Sequence, residues 1–150
     1  HLQRRRQRQM CIRDSDKDVK RLVICSGKVF YDLFETREKN KLFNIKILRL
    51  EQIYPFPIKS LQDFISKTPQ AEIIWCQEEP ENMGSWSFID RRLEKVLIDC
   101  NCKYKRPVYV GRPEAASPAT GTMSRHLKEQ KLLVNQALGL EKINTASAAE

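Results

Sequence analysis

Histidine is scarce in this 150-residue chain, which has only His1 and His126, and no serine lies in a G-x-S-x-G setting. Ser26, Ser117 and Ser124 therefore lack a nucleophile elbow and His126 has no evident orienting partner, which argues against a self-contained hydrolase. No apolar run approaches the roughly 20 residues of a membrane-spanning helix, so no membrane partner is expected. The five cysteines, at 11, 25, 76, 100 and 102, are odd in number and include no paired C-x-x-C units, which points away from a disulfide framework or a zinc ribbon. Cys25 and Cys76 lie in apolar runs that suit buried, reduced thiols. The C-x-C of Cys100 and Cys102 would bind a metal only with ligands from elsewhere. A P-loop is also missing, since no glycine stands five residues before Gly27.

The charge is unevenly placed. Residues 1–21 hold eight Lys/Arg against three Asp and so carry five of the eight net positive charges. This start has neither an apolar periodicity nor the apolar core of a secretory signal. The run from Gln7 to Ser15 resembles translated sequencing adapter. Residues 1–18 are thus expected to be a disordered or artefactual basic tail, and no nucleic-acid partner is inferred from their arginines. Residues 19–140 have the size of one domain with its own core, and residues 141–150 read as a flexible tail.

From Val19 onward, short apolar runs alternate with helical patterns, the mark of an α/β domain with a largely parallel sheet. Strands are predicted at Arg21–Cys25, Ile45–Leu50, Ala71–Cys76 and Pro107–Val110. Helices are predicted at Lys28–Lys39 with Ser26 as cap, from about Ser60 to Thr68-Pro69, at Ser85–Asp99, and at Met123–Leu138, where Leu127, Leu133, Val134 and Leu138 form the apolar set. The aromatics Tyr54, Phe56, Trp75, Trp86 and Tyr109 read first as core residues.

In such a sheet, the loops after the strands gather at one edge, where ligands favour binding. Ser26-Gly27-Lys28 could receive an anion at a helix start, yet a plain strand-to-helix turn explains it as well. Glu78, Glu79 and Glu81 could serve acid–base chemistry or a hard cation. Carboxylates before a helix are equally favoured by its dipole, and capping or a domain contact is the better reading.

These loops, taken together, resemble the C-terminal domain of the decarboxylating, thiamine-dependent component of the 2-oxoglutarate dehydrogenase complex. The matching words are Cys25 to Leu33, Arg49 to Pro57, Trp75 to Trp86, Tyr109 to Pro113 and Ala116 to Gly121, in register from about Val19 to Leu140. The resemblance implies a transketolase C-terminal-domain-like three-layer sandwich. Its sheet would be mostly parallel but mixed and five-stranded, the extra strand falling after Asn101 or near Pro113, with helices on both faces. It implies a homodimeric parent, bacterial and cytoplasmic or, in a eukaryote, in the mitochondrial matrix. That parent decarboxylates 2-oxoglutarate, or a close 2-oxoacid such as 2-oxoadipate, with thiamine diphosphate and magnesium. It then succinylates the lipoyl group of the dihydrolipoyl succinyltransferase component.

The family's cofactor-binding and catalytic motifs have no counterpart here, so no catalytic, cofactor-binding or metal residue is carried over and the isolated chain is expected to be inactive. Dimerisation and structural support are the expected roles. Some members are regulated by acetyl-CoA or nucleotides, and the matching effector positions are Gln52, Lys59 and Ser60. Only Lys59 stands where the acetyl-CoA-regulated form has consecutive arginines, which weakens bidentate phosphate binding. A stand-alone nucleotide- or CoA-binding module is the alternative.

Overall fold

The computed structural model describes residues 16–117 and 121–143. Four strands, β1 (Arg21–Cys25), β2 (Ile45–Arg49), β3 (Glu72–Pro80) and β4 (Val108–Arg112), alternate with four helices, α1 (Val29–Lys39), α2 (Ile58–Ile65), α3 (Trp86–Asp99) and α4 (Met123–Ala137). The strand order is β2-β1-β3-β4 and every pairing is parallel. The chain thus moves one way from β1 to β2 and the other way to β3 and β4, placing a topological switch between β1 and β3.

The two-residue period of the strands divides the core between two faces. Leu22, Ile24, Leu48, Ile73 and Trp75 face one side and pack with Leu61 and Ile65 of α2 and Ile89, Leu93, Val96 and Leu97 of α3. Val23, Cys25, Ile47, Ile74, Cys76 and Val110 face the other and meet Val29, Phe30 and Leu33 of α1 and Leu133, Val134 and Ala137 of α4. Two helices on each face make a three-layer α/β sandwich. β1 and β3 are buried on both sides because they are central, which explains their unbroken apolar runs.

Several expectations are corrected. Among the described residues the sheet has four strands, all parallel, rather than five in a mixed sheet; neither the stretch after Asn101 nor that at Pro113 adds one. Lys103 N–H instead bonds Pro69 O, so the chain after α3 closes a loop and does not extend the sheet. Strand β3 runs four residues past Cys76 because main-chain pairing resumes at Pro80 with Arg112 after an irregularity. Helix α1 has no side-chain cap: its N-cap is Lys28, not Ser26. Asp16–Asp18, assigned to the tail, form a 3-10 turn whose Asp16 carboxylate pairs with Lys46. Gln70 Nε2 binds the carbonyls of Asp16 and Val19 at 2.9 and 3.0 Å. Residues 1–15 lie outside the described residues.

Candidate functional site

The C-terminal end of the sheet is organised around Gln77, a side chain only 3% exposed. A buried amide left unpartnered would cost about 1–3 kcal/mol, and this one is fully used. Its Oε1 accepts from the Trp75 indole at 2.9 Å and from Trp86 N–H at 3.1 Å. Its NH2 lies 3.3, 3.0 and 2.8 Å from the carbonyls of Glu79, Pro80 and Met83. One polar residue within β3 therefore holds the end of that strand, Met83 of the connection and the start of α3 around itself.

Tyr109 extends this clasp to β4. Its hydroxyl lies 2.8 Å from Arg112 O and 3.1 Å from Glu79 O, and burial pushes its pKa well above the usual phenol range, so it stays protonated. Gly111 permits the arrangement. A Cβ there would collide with the Tyr109 hydroxyl and stand 2.8 Å from the backbone oxygen of Gln77. Arg112 Nε donates to Glu78 O at 2.8 Å, and its guanidinium lies 3.7 Å from the Glu129 carboxylate of α4. Glu129 also pairs with Arg125 at 2.9 Å. Gln130 Nε2 donates to both Asp32 and Glu78 at 2.9 Å, so α1, β3 and α4 are joined by side chains at this end.

Between these elements lies a cleft of about 430 Å³ lined by Pro80, Arg112, Pro113, Glu114, Ala115, Ala116, Ser117, Gly121, Arg125 and Glu129. Asn82 and Ala115 hold one wall through reciprocal bonds of 2.9 and 3.1 Å. The cleft mixes arginines, carboxylates and small apolar groups, and its charges are largely compensated within it.

The effector positions singled out from sequence are not part of this clasp, whereas Glu78 and Glu79 enter it through their main-chain carbonyls and the Glu78 carboxylate. Gln52, Lys59 and Ser60 are exposed on the loop after β2 and the first turn of α2. Gln52 Nε2 is turned back to Tyr54 O at 3.3 Å, and no hydrogen bond joins the three. Tyr54 is 80% exposed and not a core residue; its ring stands at 66° to that of Phe88, 6.4 Å between centroids. Gly27 has φ +79° with open space around its Cβ position. Its positive φ serves the turn that Ser26-Gly27-Lys28 reads as most simply. No group of three His, Cys, Asp or Glu able to hold a metal occurs among the described residues, which includes Glu78, Glu79 and Glu81 and the C-x-C. Cys25 and Cys76 face each other in register on β1 and β3. Burial pushes the Cys25 thiol up to about 12 against a smaller lowering by Arg49, and the Cys76 thiol is raised by burial, then by Cys25 and Glu78. Both are inert core thiols.

Gln77, Tyr109, Arg112 and Gln130 were missed as organising residues. The one available signal was a polar residue directly after the apolar run Ile73 to Cys76, where a strand buried on both faces would otherwise end.

The fold and this end of it define a doubly wound parallel α/β domain whose ligand-favoured edge is built as a clasp between loops. A family model described as 2-oxoglutarate dehydrogenase C-terminal matches residues 3–138. The 2-oxoglutarate dehydrogenase E1 components of Brucella anthropi, Brucella ovis and Brucella suis are 53% identical over 124 residues, covering 83% of this chain and 12% of each relative. The chain belongs to the 2-oxoglutarate dehydrogenase C-terminal family and spans about an eighth of the length of the relatives it matches.

Proposed function

We propose that this chain is the noncatalytic C-terminal part of an enzyme that decarboxylates 2-oxoglutarate and passes the succinyl group to the lipoyl group of a dihydrolipoyl succinyltransferase, as a homodimer in a bacterial cytoplasm. The observation that carries this reading is the 53% identity over 124 residues to proteins named 2-oxoglutarate dehydrogenase E1 component. Thiamine diphosphate with magnesium would supply the electron sink for decarboxylation. The described residues do not suit that group's metal: they contain no cluster of three His, Cys, Asp or Glu that could hold it. We infer that the cofactor is held by parts of the parent outside the described residues. Support of the dimer and of neighbouring domains is what remains for these residues. The isolated chain, given 2-oxoglutarate, thiamine diphosphate and magnesium, is expected to release no carbon dioxide; turnover above the buffer rate would sink this reading.

A second role rests on the loop after β2. Tyr54 offers an exposed ring, Phe88 stands against it, and the Arg92 guanidinium lies 3.7 Å over the Phe88 ring. With Gln52, Lys59 and Ser60 this makes a candidate effector surface for acetyl-CoA or a nucleotide, offering aromatic stacking and cations. Calorimetry with acetyl-CoA and with AMP should give a binding heat that Lys59→Ala diminishes. No heat from either ligand would leave the loop a structural turn.

A further inference from the structure

Among the described residues two pairs of cysteines stand close together, and they differ in access. Cys25 and Cys76 are in register on adjacent parallel strands, but both are central in the sheet and fully buried. Cys100 and Cys102 lie in the turn that ends α3. Cys100 is the C-cap of the helix, Asn101 has φ +52°, and the N–H groups of Asn101 and Cys102 return to Ile98 O and Leu97 O at 3.0 and 3.1 Å. This is the helix stop made by one left-handed residue, a conformation that asparagine takes more readily than most other side chains.

The turn sets the spacing of the thiols. A left-handed residue folds the backbone as tightly as a helical one, so the Cα atoms on its two sides stand about 5.4 Å apart, inside the range of roughly 4.4–6.8 Å that a disulfide spans. An extended residue would place them about 6.7 Å apart, at the limit of that range. Both side chains also meet the same layer: Cys102, 2% exposed, belongs to the core cluster of α2 and α3, and the partly buried Cys100 packs against that cluster. Cys100 alone of the described cysteines is not buried. Its Sγ lies 3.9 Å from Ser66 Oγ and 3.9 Å from Gln62 O at the end of α2, so a rotatable hydroxyl stands beside the sulfur. Burial, and then Cys100, push the Cys102 thiol up against a smaller lowering by Lys105. One thiol is reachable; the other is sheltered and slower to ionise.

We propose that Cys100 and Cys102 form a dithiol–disulfide exchange site for small disulfides, with Cys100 as the entry thiol and Cys102 as the resolving thiol. The Cys100 thiolate attacks one sulfur of the small disulfide and expels the other half as a thiolate, leaving a mixed disulfide on Cys100. Cys102 then loses its proton to solvent, attacks the Cys100 sulfur and expels the second half. Two protein thiols are oxidised to one disulfide while the small disulfide is reduced to two thiols, so the exchange needs no further oxidant. Linear disulfides and cyclic dithiolanes share this chemistry.

The test exposes the folded 150-residue chain carrying Cys11→Ser to oxidised glutathione and, separately, to oxidised lipoamide, followed by acid quenching, alkylation and peptide mapping. The tryptic peptide from Val96 to Lys103 contains both cysteines of the pair and neither Cys25 nor Cys76. It should gain an internal disulfide severalfold faster than Cys25 or Cys76 loses its thiol, and the reagent that oxidises it faster distinguishes a linear from a cyclic co-reactant. Cys102→Ser should halt the glutathione reaction at a lasting mixed disulfide on Cys100, and Cys100→Ser should leave Cys102 a thiol. A peptide that stays reduced under both reagents, equally fast oxidation of Cys25 and Cys76, or a bridge from Cys100 to a second chain would overturn the proposal. If Cys102→Ser does not fold, the lifetime of the glutathione adduct on the chain that keeps both thiols decides. It should shorten between about pH 7 and about pH 9 as Cys102 begins to ionise, and an unchanged lifetime rules out Cys102 as the resolving group.

Discussion

At the N-terminal end of the sheet, Arg21 of β1 ties two other elements to its own strand. Its guanidinium reaches Gln136 O and Ala137 O at the end of α4, each at 3.1 Å, and the Glu72 carboxylate at 2.8 Å. Short main-chain links from Lys20 to Asn44 and from Glu72 to Lys20 complete this end. At the opposite end the same kinds of groups appear, but they bind loops to one another, and the first half of α4 is left uncovered beside a cleft. The Arg21 end is suited to holding the layers together, whereas the opposite end is tied internally and still presents Met123 and Leu127 to water.

The sharpest way to break this contrast is Gln77→Ala. It would strand the Trp75 indole N–H and three carbonyls in a buried site and is expected to cost about 4 kcal/mol. Urea unfolding should show the loss, and hydrogen exchange should rise first in residues 79–86 and 109–112. A smaller loss than that of Arg21→Ala would mean that Gln77 does not organise its end. Arg21→Ala itself should cost about 2 kcal/mol, because a half-buried charge-assisted set of bonds is removed and Glu72 loses its partner. Its exchange signature should be spread over the whole domain, since α4 is released from the sheet; a change confined to residues 136–140 would contradict a role in holding the layers.

The smallest effect concerns the buried thiol of Cys25 at the end of β1. Because the folded pKa of Cys25 is raised to about 12, the unfolded chain releases its proton first as pH rises. The stability contributed is full below the ordinary thiol range and is lost as pH climbs toward 12. Thermal unfolding midpoints should therefore be insensitive to Cys25 near neutral pH and decline above about pH 9, with Cys25→Ala flattening that decline. An unchanged alkaline slope in the variant would show that the thiol is not responsible.

Much of the fold could be read locally. The four strands and four helices follow from runs such as Leu22 to Cys25 and from the helical spacing of Leu93, Val96 and Leu97, because side-chain period is a property of a few neighbouring residues. The family words were legible for the same reason: they are contiguous. The exposure of Leu127 and Tyr54 was not, since an apolar residue at a helical or loop position looks alike whether its covering surface is present in the chain or absent. Nor was the length of β3, which depends on Arg112 and Pro80 meeting from opposite ends of α3.

By itself, then, the amino-acid sequence determined the α/β class, the order of elements, the inert placement of Cys25 and Cys76 and the family. Tertiary structure alone decided the β2-β1-β3-β4 order with its switch point, the convergence of Gln77, Tyr109, Arg112 and Gln130 on one end, and the uncovered half of α4. The division has a physical cause. Local pattern reports which face of an element is apolar, but burial and hydrogen-bond satisfaction are set by groups tens of residues away, as in the 52-residue separation between Gln130 and Glu78.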